Sequence, residues 1–186
     1  MALERVRILG ISGGGRKKSY NTALLQTATG LIGDDASVEI FDVSKFPLYN
    51  QDLEHDPPEN VKEFKKKIRG SDAILFSTPE FNYSIPAILK NAIEWGNRPP
   101  NDRSWDGKPA AIMSASTGLR GGARAQTHLR TIMVDLNMHP VNRPLLLVAN
   151  AQEKFDANLQ LVDKETRETV RSLLASLVEW TRQLQK

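Results

Sequence analysis

The stretch Val6-Arg7-Ile8-Leu9-Gly10-Ile11-Ser12-Gly13-Gly14-Gly15-Arg16-Lys17-Lys18-Ser19-Tyr20-Asn21 decides the architecture. Val6 to Ile11 is a short apolar strand, the glycine triplet a tight turn, and from about Ser19 the chain takes a helical stripe of Ala23, Leu24, Thr27, Ala28 and Leu31. The same alternation continues outward. Ser37 to Val43 and Ala73 to Ser77 read as strands, separated by an amphipathic helix that Pro57-Pro58-Glu59 opens and Val61, Phe64, Lys65 and Ile68 mark. A loop over Thr78 to Ser84 leads to a helix striped by Ile85, Ile88, Leu89, Ala92 and Ile93, then to a strand at Ala110 to Ser114. After the loop Ala115 to Gly122 comes a helix with Ala125, Leu129, Ile132, Met133 and Leu136 inward. An extended segment from Val141 to Ala149 follows, and a last helix from about Asp163 stripes Val170, Leu173, Leu174, Leu177, Thr181 and Leu184. Strands and helices in strict alternation predict an α/β fold with a parallel sheet, and no linker divides residues 1–186. Runs such as Ala73-Ile74-Leu75-Phe76 suit strands buried on both faces. Pro144 places the last strand at an edge or splits it.

The chain has 186 residues, enough for one domain with a real core. It contains no cysteine, which excludes disulfides, thiolate metal sites and cysteine nucleophiles and points to the cytosol. Leu145 to Ala149 is too short an apolar run to cross a bilayer, and Met1 to Arg7 lacks the apolar run of a secretory signal. With 25 Lys plus Arg against 22 Asp plus Glu, the net charge is +3 and the cations are dispersed, so no nucleic-acid footprint emerges. In the densest basic run, Lys65-Lys66-Lys67-Ile68-Arg69, Glu63 sits four residues before Lys67, the pattern of a solvated helix face.

In an open parallel sheet, ligands sit beyond the carboxyl ends of the strands, where strand order reverses. Three loops qualify, after the first, third and fourth strands. In the first, a P-loop would need Lys then Ser or Thr after Gly15, where the chain has Arg16 and Lys17. The dinucleotide fingerprint fails too, because Lys18 stands three residues beyond Gly15, although Asp42 after the second strand could serve a ribose. Gly10-Ile11-Ser12-Gly13-Gly14 matches a hydrolase elbow on Ser12, with Asp135 and His128 or His139 as conceivable partners, but His128 reads as a surface histidine. A monophosphate cradle accounts for the most residues: glycine-turn N–H groups at a helix N-terminus, donors on Ser12, Ser19 and Asn21, and charge on Arg16.

The third loop, Thr78-Pro79-Glu80-Phe81-Asn82-Tyr83-Ser84-Ile85-Pro86, carries aromatics and amides where a solvent loop would be mostly polar. It reads as a wall for a flat ring, with Asn82, Tyr83 and Ser84 offering donors to the ring's polar edge. The fourth, Ser114 to Arg124, supplies small residues that let backbone approach a ligand. Asp52 to Asp56 with His55 reads as a solvated connector rather than a metal site.

Four stretches carry a resemblance that covers nearly the whole chain. They are Arg16 to Asn21; Phe46-Pro47-Leu48-Tyr49-Asn50-Gln51-Asp52-Leu53; Pro79 to Pro86 with Leu89-Lys90-Asn91-Ala92-Ile93-Glu94-Trp95; and Gly107-Lys108-Pro109 through Gly121 to Gln126. The chain resembles the NADPH-dependent FMN reductase family of flavodoxin-like proteins, in the branch with chromate and quinone reductases. That resemblance implies a flavodoxin-like three-layer sandwich with a five-stranded parallel sheet in the order 2-1-3-4-5. It also implies a homodimer or dimer of dimers binding FMN, with NADPH or NADH as cosubstrate. The family's phosphate contacts fall on Ser12, Arg16, Ser19 and Asn21. Its ring and ribityl contacts fall on Pro79, Glu80, Phe81, Asn82, Tyr83 and Ser84, with Ser114, Ser116, Gly118 and Gly121 beside them. The glycine triplet Gly13 to Gly15 makes the first loop longer than the family's usual one. The expected activity is ping-pong hydride transfer from NAD(P)H to FMN and on to a quinone, chromate, free flavin or similar small acceptor, with neither nucleic acid nor membrane as partner and no catalytic acid or base. The flavin would carry the chemistry. The alternative is a flavodoxin-like electron carrier without steady-state turnover.

Overall fold

A computed structural model describes residues 5–186. The expectation for the N-terminal residues Met1 to Glu4 lies outside the described residues. Strands β1 (Val6–Ser12), β2 (Ala36–Phe41), β3 (Ala73–Ser77) and β4 (Pro109–Ala115) pair in parallel in the order β2-β1-β3-β4. The segment expected as a fifth strand from Val141 is interrupted at Pro144. It forms β5 (His139–Pro140) and β6 (Leu146–Val148), which lie along successive stretches of the same flank of β4. Proline cannot donate to a ladder, so the strand is both an edge strand and a split one.

Period-two alternation sorts the core into two halves. Ile8, Ala73, Leu75, Ala111 and Met113 face α1 (Tyr20–Leu31) and α6 (Lys164–Leu184). Leu9, Ile11, Ile74, Phe76 and Ile112 face α2 (Glu59–Gly70), α3 (Ala87–Gly96) and α4 (Ala123–Asp135). All five residues of β3 are buried, as both covered faces require, and burying each of its larger side chains contributes roughly 1.5 to 3 kcal/mol. This is the flavodoxin-like sandwich.

Four local expectations change. The basic run of α2 is not simply a solvated face. Lys65 is buried, donates to the Arg98 carbonyl and pairs with Asp102 at 2.5 Å, while Arg69 reaches the same carboxylate at 2.6 Å. A buried ammonium needs such partners, and they come from the loop after α3. Lys67 pairs at 2.5 Å with Glu39 on β2, across the elements rather than along its helix. Leu184, in the last turn of α6, is 40% exposed rather than buried with the rest of its stripe. A short helix, α5 (Ala151–Lys154), follows Asn150, whose φ of 47° starts the turn.

Candidate functional site

The carboxyl ends of β1, β3 and β4 open into a cavity of about 560 Å³, within the range of roughly 300 to 1,000 Å³ typical of cofactor sites. It lies where the strand order reverses between β1 and β3, and it has two unlike walls.

One wall is the β1–α1 turn, Gly13 to Arg16, with Ser19, Tyr20 and Asn21. The Gly13 N–H donates to the Ser77 carbonyl at 2.8 Å, which ties the turn to β3. A Cβ on Gly14 would lie 1.9 Å from Ser19 Oγ, so a side chain there would displace Ser19 from its place at the helix end. Ser19 Oγ caps α1 by accepting from the Thr22 N–H, and the positive end of that helix faces the cavity. The exposed Arg16 guanidinium lies 5.3 Å from the centroid of the Tyr20 ring. Ser12 turns away from this cavity: its hydroxyl bonds Thr22 Oγ1 at 2.9 Å and accepts from the Gly14 N–H at 3.1 Å. It lines instead a small cavity of about 110 Å³ toward β2, together with Asp42, whose carboxyl is held below its ordinary value by hydrogen bonds from Ser44. Among the described residues no histidine approaches Ser12, so the hydrolase elbow has no base. Asn21 lines the cavity, but its amide braces β4. It donates to the Ala115 carbonyl at 2.9 Å and accepts from the Ala115 N–H at 2.9 Å and from Ser77 Oγ at 3.3 Å.

The other wall is Pro79, Glu80 and Phe81 with Pro86, Ala87 and Ile88 at the start of α3. Asn82, Tyr83 and Ser84 stand behind it, in a two-residue turn closed by reciprocal bonds of 3.0 Å between Phe81 and Ser84. Both central residues have positive φ, 48° at Asn82 and 69° at Tyr83; asparagine tolerates this and tyrosine rarely adopts it. The end of β4 contributes Ala115, Ser116 and Thr117. Ser116 Oγ accepts from the Gly118 N–H at 2.9 Å, shaping that loop from within. Ser114 is buried behind it, donating to the Gly121 carbonyl at 2.5 Å. A Cβ on Gly121 would meet the Leu147 carbonyl carbon at 2.8 Å, so this glycine serves the approach of the loop to β6.

The structure therefore gathers Arg16, Ser19, Asn21, Pro79, Glu80, Phe81 and Ser116 around one cavity. It sets Ser12, Asn82, Tyr83, Ser84, Ser114, Gly118 and Gly121 around its rim or behind its lining. Sequence reading did not single out Ala87 and Ile88, which look like an ordinary helical stripe, or Ala115 and Thr117 as lining residues. Tyr20, another lining residue, belongs to the Arg16 to Asn21 motif that carries the family resemblance. Among the described residues no group of acidic or histidine side chains could hold a metal ion, and no helix is long and apolar enough to cross a membrane.

A parallel sheet with a donor-rich helix N-terminus facing an apolar, aromatic shelf across one cavity defines a flavodoxin-like mononucleotide-binding protein. Comparison with known proteins sharpens that class. Residues 6–153 match the family described as NADPH-dependent FMN reductase. An NAD(P)H-dependent FMN reductase of Pseudomonas aeruginosa is 47% identical over 96% of this chain and 97% of its own. An NADPH:quinone oxidoreductase of Arabidopsis thaliana is 43% identical over 97% and 94%. The solved structure of FerB, a flavoenzyme NAD(P)H:(acceptor) oxidoreductase from Paracoccus denitrificans, superposes with a TM-score of 0.88 at 31% identity, covering 96% of this chain and 98% of that one. The chain belongs to the NADPH-dependent FMN reductase family, whose members are oxidoreductases that use FMN and NAD(P)H. The cavity fits that cofactor: the Gly14 cradle, the α1 terminus and Arg16 suit a phosphate, and the Pro79 to Phe81 shelf suits a flat ring.

Proposed function

We propose that this protein is an NAD(P)H-dependent, FMN-containing reductase of quinones and related small acceptors, chromate and free flavin among them, working by a ping-pong sequence as a cytoplasmic homodimer or dimer of dimers built from one domain per chain. When bound, FMN supplies the hydride chemistry, accepting from reduced nicotinamide and passing reducing equivalents to the acceptor. Arg16, Ser19 and backbone N–H groups of the Gly15 to Lys18 turn hold the phosphate. Ser12 and Asn21 act one layer behind, fixing the turn and the end of β4. Pro79, Glu80 and Phe81 bound the ring; the Asn82 to Ser84 turn and Ser116 flank it, while Ser114, Gly118 and Gly121 set the shape of the adjoining loop. Phe81, 59% exposed, leaves an apolar rim open to a second flat molecule, either nicotinamide or quinone. No side chain has to move a proton for hydride transfer, which matches a cavity whose lining carboxylate, Glu80, is tied to Arg124.

The observation that carries this reading is the cavity with its phosphate-compatible and ring-compatible walls at the β1/β3 switch point. The test is an absorption spectrum of the purified protein, followed by anaerobic NADPH and then a quinone. A flavin spectrum that bleaches and recovers supports both half-reactions. Bleaching without steady-state NADPH consumption identifies an electron carrier instead, and a protein that neither holds FMN nor oxidises NADPH refutes the proposal.

A further inference from the structure

We infer that Arg124 is a positioning residue for this site: from the first turn of α4 it fastens Glu80 and Tyr83 and so sets the ring-side wall of the cavity. The inference rests on the flavin reading above and names a residue outside the cavity lining. The Arg124 backbone N–H donates to one oxygen of the Glu80 carboxylate at 3.0 Å, and its Nη1 donates to the other at 3.0 Å. Glu80 thereby becomes the cap of α4, supplying from 44 residues away the acceptor that the helix's free N–H groups need. The guanidinium carbon also lies 3.7 Å from the centroid of the Tyr83 ring, a close cation–π stack.

Beyond the reciprocal Phe81–Ser84 bonds that close it, the turn has little internal support within the single chain. Within the single chain Phe81 and Tyr83 are 59% and 64% exposed, so burial by their own chain does not fix their conformation, and Tyr83 sits in left-handed backbone that tyrosine avoids. The helix that grips Glu80 and Tyr83 is itself closely seated. A Cβ on Gly122 would press to 2.7 Å from Ser114 Cβ, and Gln126 Nε2 donates at 2.8 Å to both Ser114 Oγ and the Leu146 carbonyl. One turn further along, His128 Nδ1 meets Ser84 Oγ at 3.0 Å, adding a second fastening on the same face. An exposed, strained turn tied to a seated helix is held in shape by those ties, and the wall formed by Glu80 and Phe81 moves with it.

The test uses the full chain, following FMN dissociation by flavin fluorescence as the holoprotein is diluted, together with the visible absorption and circular dichroism of the bound flavin. R124Q is expected to weaken FMN binding by roughly ten- to a hundredfold and to alter the flavin spectrum, while melting near wild type in the FMN-free form. R124K restores charge but not the planar stack, so it should recover only part of the affinity. If the two residues act as one device, E80Q/R124Q should bind FMN no more weakly than R124Q alone. Wild-type affinity and spectrum in R124Q, or additive losses in the double variant, overturn the inference. Should R124Q fail to fold, Y83A carries the test, with an expected two- to fivefold weakening and a spectral change; an unaltered Y83A overturns it. A wild-type chain that takes up no FMN overturns the flavin reading along with it, whereas wild-type binding that R124Q leaves unchanged overturns this inference alone.

Discussion

The two walls of the cavity are held by different means. On the glycine side the bonds that shape the turn are mostly local: Ser12 to Thr22, Gly14 to Ser12 and Thr22 to Ser19 join near neighbours, while Gly13 and Asn21 tie the loop to β3 and β4. On the aromatic side the decisive bonds from Glu80 to Arg124 and from Ser84 to His128 each span 44 residues. The first loop is therefore shaped largely by residues of its own neighbourhood, and it offers both backbone N–H groups and the Arg16 and Ser19 side chains to the cavity. The second depends on where α4 has docked, so it responds to changes made far from it in the chain.

Asn21 is where this contrast is easiest to break, because it carries the local wall across to β4. Asn21→Leu should lower stability by about 3 kcal/mol, since the Ala115 N–H and carbonyl lose their buried partner. Chemical denaturation would show it, and unchanged stability would mean the walls are independent. Next comes Arg16→Ala, expected to weaken FMN binding by roughly 1.5 to 3 kcal/mol, the range for hydrogen bonds to a charged group. Equilibrium titration with FMN decides it, and an unchanged dissociation constant would remove Arg16 from the phosphate end. Gly14→Ala should cost roughly 1 to 2 kcal/mol in FMN affinity, because Ser19 must turn away from the intruding methyl and give up its cap. If Gly14→Ala binds FMN normally, the turn is looser than its local bonds imply.

The smallest effect lies outside both walls and sharpens the contrast as a control. Asp163 caps α6, and hydrogen bonds from the Thr166 hydroxyl and N–H, followed by Lys154, lower its carboxyl to about 2. A depressed carboxyl pKa stabilises the fold above its unfolded value and loses that contribution as pH falls through about 2. Asp163→Ala should therefore cost about 1 kcal/mol at neutral pH, with the gap from wild type closing below about pH 4, and leave FMN affinity intact. Melting curves at a series of pH values would check both parts.

Much of this was legible in the chain itself. The alternation of apolar runs with striped helices located the four full strands and their helices, because burial on both faces of a parallel sheet leaves near-continuous apolar runs such as Ala73 to Phe76. Arg16, Ser19, Asn21, Pro79, Glu80, Phe81 and Ser116 all came to the cavity because loops at the carboxyl ends of such strands converge there. What escaped reading was pairing at a distance. Lys65 looks like one more surface lysine until the loop after α3 brings Asp102 to it, and Arg124 looks like a solvent-facing helix residue until β3 delivers Glu80. Spacing along a helix reports neighbours at three and four residues and nothing of partners on another element. Ser12 escaped for the opposite reason: Thr22 lies close enough in the chain to claim its hydroxyl first.

The broken strand beside β4 also bears on how the protein behaves in a crowd. Pieces of two and three residues, interrupted at Pro144, present no long flat ladder of free N–H and carbonyl groups. At the opposite border of the sheet, β2 places exposed Glu39 midway along its length and binds it to Lys67. Neither border invites a foreign strand to add on, so a sheet with open edges is guarded against runaway polymerisation by a proline at one margin and a charge at the other.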